Sequence, residues 1–447
     1  MSAPSSRQSV RSSVATGRLP NLSRRQLVVG GGALAAGGLL LGGPAGAASA
    51  TTRAVTSTDQ KIANHHFRAP FDFLRGSRDG AIPTRLGLRL GHTSKTRTYA
   101  DLAPGSPTVT YDYGSWTSPW LSSGFALNEL ISSWNADTPN GTWIESQVRG
   151  VDETGTTSDW FVLGRWCSND LADGGAISRT SVDDQATDIA TVWTDTLHVY
   201  SGHTFSKVQL RILLMRKAGT RLTPTVSFFG AVASNLPDDV PSTSSFGLRS
   251  GIALPVPPYS QELHEGQYPQ WDNGGEAWCS PTSTSMVVAY WRRGPSAKDL
   301  AWVEPKVDPQ VAYAARNTYD AAYEGCGNWP FNTAYAGRWG LEAYVTRLRN
   351  LREAEPFLRA GIPLITSIAF EPGELDGAGY STDGHLMVLA GFTDKGDVVM
   401  NDPASHLIKS DAAVRTTYRR DQFEKLWLAA SGGTAYVIHP PHLRARH

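Results

Sequence analysis

Between residues 66 and 235 apolar and polar positions alternate in short runs: "TVTYDYGSW", "TWIESQVRGVD", "DWFVLGRWC", "DIATVWTDTLHV", "SKVQLRILLMR" and "TPTVSFFGAVA". A period of two puts every second side chain on one face, and Gly, Pro, Asn or Asp turns close the runs, so each predicts a strand with one buried side. A series of such strands predicts an antiparallel β-sandwich. The alternation stops at "LPDDVPSTSSFGLRSG", 236–251, whose Pro, Ser and Gly content predicts a linker. Beyond it the periods mix. "SPTSTSMVVAYWRR" predicts an amphipathic helix, and "DPQVAYAARNTYD" and "NLREAEPFLRAG" predict two more, the last stopped by Gly361. "IPLITSIAF" predicts a strand, and "HLMVLAGF", "TDKGD" and "VVMND" read in turn as strand, turn and strand of a hairpin. No repeat occurs at solenoid periods. The expected architecture is an all-β sandwich over 66–235, a linker over 236–251 and a mixed helix-and-strand domain over 252–447.

Composition alters this picture at its beginning. Residues 1–50 join the Arg24-Arg25 pair to a Gly/Ala-rich, weakly apolar stretch ending in small residues, with cleavage expected near Ala47 or Ala50. That pattern predicts a twin-arginine export signal, a flexible segment over 51–65, and a secreted or extracytoplasmic protein with no membrane span after signal removal. Lys+Arg 41 balances Asp+Glu 41, which predicts no nucleic-acid or polyanion partner. The first half also holds Trp116, Trp120, Trp134, Trp143, Trp160, Trp166 and Trp193. Alternating aromatics in strands usually fill a core, but flat indoles also suit sugars, so binding of a cell-surface carbohydrate is a candidate role for this half.

The candidate chemistry starts from three cysteines, Cys167, Cys279 and Cys326, an odd number for an exported chain. Without CxxC or a Cys/His cluster at ligand spacing, no metal site is expected. Export allows a disulfide between Cys167 and Cys326 that would tie the halves together. Cys279 precedes Ser280 and Pro281, and proline suits a helix's first turn, where unpaired amides and the dipole favour an anion. A thiol placed there is set up to be a thiolate nucleophile. "DGHLMVLAGFTDKGDVVMNDPA" supplies its partners: His385 opens one strand and Asn401-Asp402 close the next, so a base and the group that orients it stand at one end of a hairpin.

"VPPYSQ", "WCSPTSTSMVVAYW" and "GHLMVLAGFTDKGDVVMNDPA" together resemble the bacteriocin-processing (double-glycine leader) peptidases, family 39 of the cysteine peptidases in the papain-like clan, over about residues 255–440. The resemblance implies an α+β papain-like peptidase domain with Cys279 as nucleophile, His385 as general base and Asp402 as its orienting residue. It makes Gln261 the side-chain donor of the oxyanion hole, with Gln270 as the alternative. It implies hydrolysis of a peptide or protein substrate with no metal or organic cofactor. Ser280 stands where the family usually has glycine, and no transporter part is attached, so leader-peptide processing is not implied. Strand parity also favours Asp402 over Asn401: an even hairpin loop pairs residues whose numbers sum to an odd value, as 385 and 402 do, whereas an odd loop or a bulge reverses the choice. The competing expectations are another thiol acyl transfer, cell-wall peptide amide hydrolysis or transpeptidation, and a non-catalytic surface-binding protein on a peptidase scaffold.

Overall fold

The computed structural model describes residues 60–443 apart from 238, 239 and 241. The expected export signal and residues 51–59 lie outside the described residues. The chain has two halves, each built on antiparallel sheets, with helices only a minor part.

The first half folds into a seven-stranded and a six-stranded sheet. Its first strand is Lys61–Arg68, which begins inside the segment expected to be flexible and pairs along its whole length with Thr225–Asn235. In the six-stranded sheet Thr142–Asp152 pairs with Phe205–Lys217, which pairs in turn with Thr108–Thr117. Their alternation sends Ile144, Val148, Leu210 and Ile212 inward, where they meet Leu130, Trp134 and Phe229 of the other sheet. Trp116, Trp134, Trp143 and Trp166 have no exposed surface, so these four are core and present no platform to a sugar. Of the other three, Trp193 stacks on His198 with 3.7 Å between ring centres.

The second half carries a seven-stranded antiparallel sheet ordered Glu342–Arg347, Thr434–His439, Leu364–Phe370, Thr382–Phe392, Val398–Asn401 and Arg415–Tyr418, with Ile252–Ala253 added beside Thr382–Phe392. Five helices accompany it: α1 (Cys279–Tyr290), α2 (Pro309–Thr318), α3 (Trp329–Gly337), α4 (Leu351–Arg359) and α5 (Arg420–Ser431). Helix α1 departs from the amphipathic expectation. Its first ten residues are all buried, because it lies under the sheet against Thr382–Phe392 with α2 and α3 on its other sides, and an all-round buried helix has no polar face to show.

Residues 236–251 contain no helix or strand among those described, yet they are tied down. Ser244 donates from its backbone N–H and its hydroxyl to Glu424, each at 2.6 Å, and Arg420 donates to the Ser244 carbonyl at 2.8 Å. The Gly247 N–H donates to Glu355 on α4 at 3.1 Å.

The halves share their cores. Phe331 of α3 inserts between Trp134 and Trp166, with ring centres 6.1 and 5.4 Å away. Gly164 permits this approach, since a Cβ there would lie 3.0 Å from the Trp134 ring and 3.1 Å from that of Phe331. Strand Glu342–Arg347 is the edge of the second sheet, and the first half covers it. The Asn135 side chain donates to the Ala343 carbonyl at 2.8 Å and accepts from its N–H at 3.1 Å, while Ser133 Oγ accepts from the Val345 N–H at 2.9 Å. Arg68 and Glu342 add a bidentate ion pair at 2.7 to 2.9 Å. With apolar and polar ties both crossing the seam, both halves should unfold in one calorimetric transition. Phe331→Ala should lower stability by about 3–5 kcal/mol. Two separate transitions in the unaltered protein would show that the shared core does not couple the halves.

Candidate functional site

Helix α1 brings Cys279 to the sheet as its first residue. Trp278 precedes it in a non-helical conformation, and the first-turn amides, that of Cys279 included, have no acceptor within the helix. Trp278 is fully buried and donates from its indole N–H to the Trp271 carbonyl at 2.6 Å, which fixes the turn. Further along, Ser280 Oγ meets the Tyr436 hydroxyl at 2.9 Å, and Ser283 Oγ donates to the Leu386 carbonyl at 2.9 Å, linking the helix directly to the residue after His385.

His385 Nε2 lies 2.8 Å from Asp402 Oδ1, and both side chains are buried. Nδ1 is the ring nitrogen left for Cys279, whose thiol interacts with the imidazole. Burial works against the imidazolium, but the Asp402 charge and hydrogen bond, together with Cys279, outweigh it and raise the His385 pKa to about 10.

Asp402 has no exposed surface and four donors. His385 and the Ala404 N–H, at 3.0 Å, serve Oδ1, while the hydroxyls of Tyr380, at 2.8 Å, and Tyr418, at 2.6 Å, serve Oδ2. Burial alone would raise its pKa; the His385 charge and these hydrogen bonds reverse that and hold it below the usual carboxylate range. Burial and the Asp402 charge push both tyrosine hydroxyls far up, so they stay protonated donors. The Tyr380 ring also stands edge-on to the imidazole, 5.7 Å between centres. Neither tyrosine is marked by local sequence pattern, since one sits in a glycine-rich loop and the other ends a four-residue strand.

The hairpin reaches this arrangement by two compensating irregularities. Phe392 pairs with Val398, leaving the odd loop 393–397, and a bulge between Leu389 and Gly391 then shifts the register so that Val388 pairs with Asn401. The odd loop and the bulge cancel, and Asp402 faces His385. Gly391 sits at that bulge because a Cβ would come within 1.9 Å of the Ile252 carbonyl. Asn401 points elsewhere, donating to the carbonyls of Val256 and Pro257 at 3.1 Å each.

Gln261 is buried beside this group. Its backbone N–H donates to the Pro403 carbonyl at 2.9 Å and its Nε2 to the Glu276 carbonyl at 2.8 Å, three residues before Cys279. Its second amide N–H serves the neighbouring Glu262 carboxyl, and Oε1 has no partner among the described residues. Gln270 is exposed on a turn. Next to Gln261, burial raises the Glu262 carboxyl pKa, against the hydrogen bond from Gln261. Cys167 and Cys326 are free, buried thiols, so no disulfide joins the halves. Among the described residues no cluster of three or more His, Cys, Asp or Glu could hold a metal ion, and no helix is long and apolar enough to cross a membrane.

A thiol at a helix start, a buried imidazole and a buried carboxylate can together run acyl transfer. Two family models match this chain. Residues 63–234 match the Peptidase C39 N-terminal domain, and residues 253–435 match the Peptidase C39-like family. Among solved structures, one described as a C39-like peptidase from Bacillus anthracis is 18% identical, with 44% of this chain and 99% of that chain covered and a TM-score of 0.28. No curated protein matches. Since both halves match C39 models, one on each side of the 236–251 segment, the chain belongs to family 39 of the cysteine peptidases.

Proposed function

We propose that this chain is an exported cysteine peptidase that hydrolyses peptide bonds through Cys279, on an α+β papain-like domain accompanied by an N-terminal β-sandwich. The observation that carries this reading is the buried pair of Asp402 and His385, 2.8 Å apart, with the Cys279 thiol at a helix start interacting with the same imidazole. Cys279 gives its proton to His385 and attacks the substrate carbonyl carbon. The tetrahedral oxyanion takes hydrogen bonds from the Cys279 N–H and from the Gln261 amide, which turns to it from the Glu262 carboxyl. His385 then protonates the leaving amine, and water, deprotonated by His385, releases the acid and restores the thiol. Asp402 stabilises the imidazolium throughout and fixes the ring, and its two tyrosines keep the carboxylate ionised.

Incubation with a peptide library, with cuts mapped by mass spectrometry, should give hydrolysis that falls about a thousandfold or more in Cys279→Ala. Iodoacetamide should label Cys279 rapidly near neutral pH in the folded protein, and His385→Ala should slow it sharply. Asp402→Ala should remove turnover, whereas Asn401→Ala should cost stability and keep turnover. Hydrolysis undiminished in Cys279→Ala would eliminate the mechanism.

The pH dependence of stability gives a second test. A His385 pKa raised from 6.5 to about 10 contributes stability that is fully present below 6.5 and is lost as pH rises through about 10. A depressed Asp402 contributes stability that is present above its ordinary pKa and is lost as pH falls through the lower folded value. Asp402→Asn should therefore sharply reduce the alkaline loss of unfolding free energy between about pH 6.5 and 10, because burial then opposes only the weaker Cys279 contribution to the His385 pKa. Denaturant unfolding across that range would reveal it, and an unchanged slope would sink the assignment of the His385 shift to Asp402.

A further inference from the structure

The outer face of the six-stranded sheet is divided. At one end Trp143, Leu213 and Met215 pack under Cys167 and Ile177, and the Tyr111 hydroxyl donates to the Ala176 carbonyl at 3.1 Å. At the other end the side chains meet solvent, and five of them form a continuous row that alternates cation and ring. Lys207 Nζ lies 5.2 Å from the centre of the Trp120 ring, and the Arg149 guanidinium 5.3 Å from the same ring. Arg149 also lies 4.6 Å from the Trp160 ring, and Arg211 lies 3.9 Å from it. The register explains the alignment, since Arg149 stands opposite Gln209 and Arg211 opposite Gln147 on one face.

These cations are held by neutral partners. Arg149 donates to Gln209 Oε1 at 3.0 and 2.6 Å, and Arg211 to Gln147 Oε1 at 2.6 Å. Among the described residues no carboxylate pairs with Lys207, Arg149 or Arg211. Beside them Arg97 and Arg165 share one fully buried carboxylate, Glu145, at 3.0 and 2.8 Å. Burial lowers the Arg211 pKa, with Glu145 opposing and the Arg149 and Arg97 charges adding to it, so like charges are crowded here. Cation–π contacts contribute roughly 0.5–2 kcal/mol each, which holds the row in shape but does not neutralise it. The balance of 41 cations against 41 anions over the whole sequence conceals this local surplus.

We infer that this face docks an acidic polysaccharide, with ring carboxylates on Arg149, Arg211 and Lys207 and one sugar face against Trp120. Charge complementarity requires an anion. Each ring has two cations, but those at Trp160 lie closer, at 4.6 and 3.9 Å, and leave it half-buried, whereas those at Trp120 stand at 5.3 and 5.2 Å and leave it 37% exposed, so Trp120 is the more open ring of the row. Single-stranded nucleic acid is gripped by stacking successive bases along a groove, which needs several open rings. A uronic-acid chain needs one apolar stacking surface flanked by cations. The row lies in the half that lacks Cys279 and His385, so docking and hydrolysis are separable.

The test uses the full mature chain and polygalacturonate, with dextran, polyglutamate and single-stranded poly(dT) as comparisons. Polygalacturonate should bind at low salt and be released as salt rises, while dextran should not bind. Arg149→Gln with Arg211→Gln should weaken binding by about tenfold or more, and Trp120→Ala should weaken polygalacturonate binding but leave polyglutamate binding unchanged. Because the arginines pack against Trp160, Lys207→Gln with Trp120→Ala, both at exposed positions, repeats the test without risk to the fold. Peptide hydrolysis should be the same in every variant. The inference is overturned if polygalacturonate does not bind, binds no better than polyglutamate, is indifferent to Trp120→Ala, or is outcompeted by poly(dT).

Discussion

A carboxylate with no contact to water is unstable unless protein groups replace the water it has lost, and Asp402 is such a carboxylate. Its four donors come from four separate places in the second half: the Thr382–Phe392 strand, the turn after Asp402 itself, the glycine-rich loop at Tyr380 and the edge strand that ends in Tyr418. The sheet must therefore close as a whole before the anion is tolerable. Once it has closed, the anion dictates the protonation of everything it touches: His385 is drawn toward its charged form, and the two hydroxyls are kept as donors. The bulge at Gly391 and the odd hairpin loop are the backbone geometry that brings this residue, and not Asn401, to the imidazole.

What could be read from the sequence follows from where the information sits. Cys279 is announced by contiguous residues, with a proline in the first turn of a predicted helix, and His385 and Asp402 by two strands joined through a short turn. Tyr380 and Tyr418 are announced by nothing local, since their partnership exists only once a loop and an edge strand have folded onto Asp402. The same logic holds for the fold. The strand Glu129–Asp137, "ELISSWNAD", shows no alternation because both its faces are buried, one in the first-half core and the other against the second half. Helix α3, buried throughout most of its length, has no polar face to reveal a helical period. Period-based reading assumes one wet side, and it fails wherever two packed bodies leave none.

That burial on both faces changes what the first half is. Its Ser133 and Asn135 occupy hydrogen-bonding positions along Glu342–Arg347 that a neighbouring strand would otherwise fill. A sheet edge with free N–H and C=O groups is a template for any passing strand, including the same edge of a second molecule. Seen this way, the first half is a plug as much as a module: a gene fragment encoding only the second half would yield a protein with a sticky border. Parted from the first half, the second would carry a solubility cost at that border, whatever its substrate.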